Sequence, residues 1–179
     1  MPRIPALNDD AASPAAKEIF TAIRAKIGMV PNLYRTTAHQ PAVLSALLGL
    51  GEALGKGGFD ARTREAIALA VAGANACDYC ASAHSAISKG MKIDTGEIAH
   101  NLRGRSGDPK TAAILALAVA INAKRGNITD ADLTLARSAG LTDGEIVETV
   151  AAVVANIFTN YLNHVFGTEI DFPAIKAAA

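Results

Sequence analysis

The stretch that decides the fold is residues 64–90, which read REAIALAVAGANACDYCASAHSAISKG. Its apolar residues recur at intervals of three and four, and alanine, the best helix former, is everywhere in it. This pattern predicts two helices with a tight turn at Asn75 and Ala76, the second helix ending at Gly90. The two helices are therefore expected to form an antiparallel hairpin, in which residues equally far from the turn face each other.

The hairpin places four chemically active side chains together. On its second helix Cys77, Cys80 and His84 lie at positions i, i+3 and i+7, which share one face of a 3.6-residue helix. Glu65 lies about ten residues before the turn and His84 about eight after it, so their side chains are predicted to meet across the pair.

These residue types in this spacing point to thiol redox chemistry. A Cys pair at i and i+3 can close a disulfide after modest adjustment, His84 can accept a thiol proton, and Glu65 can orient the imidazole. The helix N-terminus favours a thiolate at Cys77, whereas His84 favours one at Cys80. We give the histidine more weight, since a positioned base also manages the proton during turnover. Cys80 is thus assigned as the attacking thiolate and Cys77 as the resolving thiol.

The flanking sequence is also helical. Ser13-Pro14 is typical of a helix start, and Thr142 with Glu145 forms a capping-box pattern. No linker or composition shift divides the chain, so we expect one all-α domain over residues 1–179, with a redox core at about 60–90. Outside the hairpin, helices are predicted at about 14–26, 41–54, 109–125, 130–139 and 142–164. A loop is predicted over residues 28–40, between the first two of them.

Composition excludes several partners. The 179 residues include 17 Lys+Arg and 17 Asp+Glu, so the net charge of zero gives no broad attraction to nucleic acid. Apolar runs such as 112–121 and 150–158 are shorter than the roughly 20 residues of a membrane-spanning helix. Residues 1–16 contain no apolar stretch of signal-peptide length, so a cytoplasmic, reducing location is expected. Two cysteines there are more typical of redox or metal sites than of structural disulfides.

Other readings of the same residues remain open. Cys77, Cys80, His84 and Glu65 could together bind zinc, and the two cysteines could instead be inert apolar residues of the core. A non-catalytic or redox-sensing oligomeric domain is the alternative function. Tyr79 lies off the reactive stripe and is expected to pack, with a hydrogen bond to the site as the alternative.

The spacing Glu65, Cys77, Cys80, His84 resembles the core motif of the alkylhydroperoxidase D-like branch of the carboxymuconolactone decarboxylase family. The flanking IGMVPNLY and NYLNHVFGTEIDFP also look like peroxidase-related members, so the resemblance covers nearly the whole chain. It implies a helical bundle that assembles into trimers or hexamers. The founding peroxidases of the family carry a histidine where this chain has Tyr79.

The resemblance also implies an activity. Such a protein is a peroxidase without haem, metal or other cofactor, in which a CxxC pair cycles between dithiol and disulfide. By this pattern Cys80 attacks the hydroperoxide, Cys77 resolves, and Glu65 and His84 form the proton relay. An external dithiol or a thiol protein must then reduce the disulfide, because the chain has no nucleotide-binding glycine motif. Apolar faces on the helices at 109–125 and 142–164 independently favour a homo-oligomer.

Overall fold

The protein, a computed structural model, is described over residues 1–177, and these residues form nine helices and no strand. The all-α class that the sequence predicts is confirmed. The helices are α1 (Pro14–Ile27), α2 (Asn32–Thr37), α3 (Pro41–Leu54), α4 (Ala61–Ala74), α5 (Asp78–Gly90), α6 (Thr95–Leu102), α7 (Pro109–Ala123), α8 (Asp130–Ser138) and α9 (Asp143–Phe166).

The predicted helix boundaries have the expected caps. The side chain of Ser13 accepts a hydrogen bond from the first turn of α1, and Gly28 ends that helix in the left-handed conformation with φ 81°. At the start of α9, Thr142 and Glu145 form the complete capping box. Local sequence therefore fixes these boundaries, because each cap supplies a partner for backbone groups that the helix leaves unpaired.

The loop predicted over residues 28–40 is wrong in part. Residues 32–37 form the short helix α2, with Pro31 at its N-cap and Leu33 buried. The helix α6 was not predicted either, although Asp94 caps it in the expected way. Helices of six and eight residues are too short to be stable alone, so packing rather than local propensity determines them.

Helix α4 is the centre of the fold. It packs against α5, α6, α7 and α9, and every residue from 66 to 72 is buried. Near its C-terminus Gly73 lies so close to the Leu102 carbonyl of α6 that a β-carbon would collide with it. This close packing holds α4 fixed and leaves Glu65, near its start, as a half-buried carboxylate beside α5.

Helix α9 leaves a line of apolar side chains in contact with solvent. Val147, Val150, Val154, Tyr161 and Val165 are each 41% exposed or more, and their spacing puts them on one face of the helix. No helix within residues 1–177 combines the length and apolar character needed to cross a membrane. The homo-oligomer expected from the sequence stays a prediction, and this face of α9 is the place to test it.

We expect Val154→Glu to convert an oligomer into monomers, because a buried, unpaired carboxylate at an interface costs several kcal/mol. Sedimentation velocity at micromolar concentration measures the change. Ser45→Glu on α3 adds the same charge at an exposed polar position and serves as the control. Wild-type protein that sediments as a monomer would contradict the expectation of an oligomer.

Candidate active site

The turn between α4 and α5 forms the predicted hairpin. Asn75 follows the last residue of α4, and Ala76 takes a positive φ of 52° that reverses the chain. The amide of Cys77 then donates to the Ala72 carbonyl at 2.9 Å, which closes the turn. Cys77 is thereby placed as the N-cap of α5, and its neighbours in sequence begin the helix.

Glu65 and His84 meet across this hairpin, as the sequence predicts. His84 Nδ1 lies 2.8 Å from Glu65 Oε2, and both side chains are mostly buried. Burial lowers the pKa of His84, but the Glu65 carboxylate outweighs it through its charge and its hydrogen bond, and the pKa is raised overall. The imidazole is therefore a stronger proton acceptor than an ordinary histidine.

Both cysteines are buried free thiols at the first turn of α5. The Cys80 amide donates to Cys77 Sγ at 3.4 Å, so Cys77 caps the helix through its sulfur. Hydrogen bonds from Cys80 lower the pKa of Cys77 against the effect of burial, with a further contribution from His84. The pKa of Cys80 is raised, first by its hydrogen bond to Cys77 and then by burial. Within this hydrogen-bonded pair, Cys77 is therefore the more acidic thiol.

A largely apolar cavity of about 850 Å³ reaches one of the two sulfurs. Cys80 lines it together with Glu65 and His84, whereas Cys77 does not. Tyr34 and Phe172 give its wall an aromatic character. No hydrogen bond within residues 1–177 joins His84 to Cys80, so the two groups share the cavity without direct contact. A ligand in this space meets Cys80 before Cys77.

The segment after α9 covers the start of α5. Ile175 donates its amide to Ser82 Oγ at 2.9 Å, and Lys176 forms an ion pair with Asp78 at 2.6 Å. Phe172 stands edge to face against Tyr79, with ring centroids 5.8 Å apart. This segment thus forms one wall of the cavity and shields the cysteine pair from solvent.

The sequence suggests that Tyr79 packs, and in the structure its hydroxyl also forms two hydrogen bonds. Its hydroxyl donates to Asp171 Oδ1 at 2.8 Å and accepts from the Leu33 amide at 3.2 Å. Burial raises the pKa of this phenol above its usual value of 10. With its hydroxyl hydrogen-bonded on both sides, Tyr79 ties α5 to α2 and to the C-terminal segment.

We expect Tyr79→Phe to lower the free energy of unfolding by about 1–3 kcal/mol, because it leaves the buried Leu33 amide and one Asp171 oxygen without a partner. Urea denaturation followed by circular dichroism measures this loss. Tyr161→Phe removes the same hydroxyl from a side chain that is 59% exposed and should cost almost nothing. Equal stability of the two variants would contradict the structural role of Tyr79.

Sequence reasoning missed two site residues on α9. Asn163 Nδ2 donates to Cys80 Sγ at 3.2 Å, and Asn160 lies one turn earlier with no exposed surface. Both amides lower the pKa of Cys80, although less than Cys77 and burial raise it. The available signal was a pair of asparagines at i and i+3 within an apolar helix, since a buried polar side chain needs a partner.

The zinc alternative is not supported by this geometry. Among residues 1–177, no three His, Cys, Asp or Glu side chains are grouped so that they could hold a metal ion. The reason is the pairing within the site, since Glu65 and His84 hydrogen-bond to each other and Cys77 accepts from the backbone of α5.

Two solved structures that share this arrangement of helices are described as peroxidase-related proteins. The chain has a TM-score of 0.84 and 24% identity to a protein described as an alkylhydroperoxidase AhpD core, an uncharacterized peroxidase-related protein from Ralstonia eutropha JMP134, with 95% of this chain and 92% of that chain covered. A peroxidase-related protein from Silicibacter sp. TM1040 has a TM-score of 0.80 and 25% identity, covering 93% and 91%. The fold is that of the AhpD-like helical proteins.

Three further comparisons concern a debrominase of similar fold, the curated protein sequences and the family models. A cysteine-to-alanine variant of the debrominase Bmp8, solved with 2,3,4-tribromopyrrole, has a TM-score of 0.78 and 19% identity, covering 94% and 91%. No curated protein sequence matches the chain. Residues 41–106 match the carboxymuconolactone decarboxylase family. That segment includes the CxxC hairpin, so the resemblance predicted from the sequence is confirmed.

Proposed function

We propose that this protein is a thiol-dependent peroxidase that reduces organic hydroperoxides through Cys77 and Cys80. The observation that carries the proposal is that Cys80, His84 and Glu65 line the same cavity of about 850 Å³. A ligand in this cavity therefore meets a sulfur, a base and the carboxylate partner of that base. Resemblance to peroxidase-related proteins of the same fold supports it. Cys80 is the attacking sulfur on grounds of access, because Cys77 does not line the cavity.

In the proposed reaction the cysteine pair supplies the two electrons that reduce the hydroperoxide to an alcohol and water. The Cys80 thiolate attacks one peroxide oxygen, the O–O bond breaks, and Cys80 becomes a sulfenic acid while the alkoxide takes a proton from His84. Cys77 then gives its proton to the neutral His84, its sulfur attacks the Cys80 sulfur to form the disulfide, and the leaving hydroxide takes that proton and becomes water. An external dithiol or thiol protein then returns two electrons by exchange. The lowered pKa of Cys77 supports the second step, since only a thiolate attacks efficiently.

The test counts thiols in the reduced protein before and after one equivalent of cumene hydroperoxide. We expect loss of both thiols as an intramolecular disulfide, at least about 100-fold faster than for a simple thiol, because a positioned base contributes this much. Mass spectrometry of the unreduced peptide identifies the product. Loss at the rate of a simple thiol would contradict the proposal and favour the non-catalytic or redox-sensing alternative.

The size and aromatic wall of the cavity favour a second candidate, reductive dehalogenation of a halogenated aromatic compound. Similarity in fold to a debrominase that binds a tribromopyrrole supports it. In this reaction two electrons from the dithiol replace a carbon–bromine bond by a carbon–hydrogen bond, with release of bromide and formation of the disulfide. Bromide release from 2,3,4-tribromopyrrole by the reduced protein tests it, and absence of bromide while cumene hydroperoxide is consumed leaves the peroxidase alone.

A further inference from the structure

A chain of hydrogen-bonded amides, partly buried at Asn122 and Asn75 and fully buried at Asn160, leads from the end of α7 toward Cys80. Asn122 Nδ2 donates to Asn75 Oδ1 at 2.9 Å, and Asn75 Nδ2 donates to Asn160 Oδ1 at 3.0 Å. Each amide in this chain donates toward the next, so their dipoles are aligned. The chain ends at Asn160 Nδ2, which lies near the Cys80 thiol.

That terminal amide group has no partner of its own. Asn160 is fully buried, and its Nδ2 makes no hydrogen bond of good geometry within residues 1–177, although it lies close enough to Cys80 to lower the pKa of that thiol. Asn163 also lacks a partner for its Oδ1, and its one polar contact in the same part of the chain is the donation to Cys80 Sγ at 3.2 Å. Unpaired buried amides cost free energy, so a fold keeps them where a later state satisfies them.

We propose that Asn160 and Asn163 form a thiolate-binding site that decides which of the two cysteines attacks. When the pair Cys77–Cys80 has lost one proton, a proton shift between the sulfurs moves the charge from one to the other. On Cys77 the charge is held by the backbone amide of Cys80. When the charge is on Cys80, the Asn163 amide holds it. The Cys80 thiolate then also gives the unpaired Asn160 amide an acceptor.

The position of the charge determines whether the thiolate can reach a ligand in the cavity. Charge on Cys77 is hidden from the cavity, whereas charge on Cys80 faces it. The two asparagines therefore bring the reactive form to the place where a ligand binds. Asn163 touches the reacting sulfur and is a catalytic residue, while Asn75 and Asn122 are positioning residues that hold Asn160. The inference deepens the proposed function and rests on it only for the identity of the ligand.

The test measures the pKa of Cys80 itself. In a Cys77→Ser background, the rate of alkylation by iodoacetamide as a function of pH reports the Cys80 thiolate and needs no peroxide. We expect Asn163→Ala to raise this pKa by about one to two units, as expected for loss of a hydrogen bond to a charged group. At a pH below the Cys80 pKa of both proteins, Asn163→Ala should be alkylated about 10- to 100-fold more slowly than the Cys77→Ser parent.

Matched variants separate this effect from general damage. Asn156→Ala makes the same substitution on α9, but the Asn156 amide donates to the Ala152 carbonyl of its own helix, so the Cys80 pKa should not move. Asn163→Leu fills the space that the alanine variant opens and should raise the pKa as well. Circular dichroism identifies any variant that does not fold.

The inference fails if folded Asn163→Ala or Asn163→Leu leaves the Cys80 pKa within about 0.3 units of the parent, a change smaller than any hydrogen bond to a charge provides. That outcome is distinct from failure of the proposed function, in which the wild-type dithiol reacts slowly with cumene hydroperoxide whatever the Cys80 pKa is. A raised pKa in both Asn163 variants supports the thiolate-binding site even if the ligand is not a hydroperoxide.

Discussion

Replacing Cys80 with serine is expected to abolish hydroperoxide reduction, with a fall of at least about 10³-fold in the rate of cumene hydroperoxide consumption with dithiothreitol as reductant. Serine keeps the size of the side chain, but its hydroxyl is far too weakly acidic to supply the nucleophile. Cys80 is the sulfur that lines the cavity, so no other group can take its place there. Peroxide consumption measured by an iron–xylenol orange assay gives the rate.

Cys77→Ser is the matched variant, and it should give a different result. The first step remains, so one equivalent of hydroperoxide is consumed, and the sulfenic acid then accumulates because no thiol resolves it. Dimedone should label Cys80 in this variant, as peptide mass spectrometry can show. Continued turnover is expected to be lost.

The opposite pattern would reverse the two roles. The pKa of Cys77 is lowered and that of Cys80 is raised, so acidity alone would choose Cys77 as the attacking residue. Access to the cavity argues for Cys80, and an attacking thiolate must reach its ligand as well as form. A Cys80→Ser protein that still consumes hydroperoxide and carries dimedone on Cys77 would show that acidity decides.

The hairpin and its contacts could be predicted because local rules determine them. The helical period sets the phase of Cys77, Cys80 and His84, and one tight turn at Asn75 and Ala76 determines which residue of α4 faces His84. The contact of His84 with Glu65 therefore joins two residues only 19 positions apart, within one helical hairpin.

The other half of the site depends on packing between distant parts of the chain. Asn163 is 83 residues from Cys80, and its contact exists because α9 packs beside α5. Asp171 reaches Tyr79 through a segment with no helical period. Helix periodicity shows which face of a helix is buried, but it does not say which helix covers that face. For this reason the sequence could indicate that the asparagines are buried, but neither their contact with Cys80 nor the C-terminal wall of the cavity could be predicted.

Glu65→Gln is expected to lower the rate of reaction with cumene hydroperoxide by about 10²-fold at pH 7, the lower end of what a general base contributes. Burial by itself lowers the pKa of His84, and the Glu65 carboxylate is the group that reverses this effect. Without the charge the pKa of His84 falls, so the imidazolium is lost at a lower pH than in the wild type. Because His84 also lowers the pKa of Cys77, the thiolate should then form at higher pH.

The pH profile makes this prediction specific to the charge. The acidic limb of kcat/KM for hydroperoxide should move toward alkaline pH by roughly one unit, since a neighbouring charge within contact distance shifts a pKa by about this much or more. Glutamine can still hydrogen-bond to His84 and keeps the shape of the side chain. Glu18→Gln removes a carboxylate from an exposed position on α1 and should leave the profile unchanged.

Stability should depend on pH through the same pair. The pKa of His84 is raised in the folded state, so the contribution of the Glu65 interaction is fully present below the unfolded value of about 6.5 and is lost as the pH rises through the folded value. The difference in free energy of unfolding between wild type and Glu65→Gln should therefore be larger at pH 6 than at pH 9. Urea titrations at the two pH values measure it. A difference that grows with pH, or a Glu65→Gln protein with an unchanged rate profile, would show that the carboxylate does not hold the proton of His84.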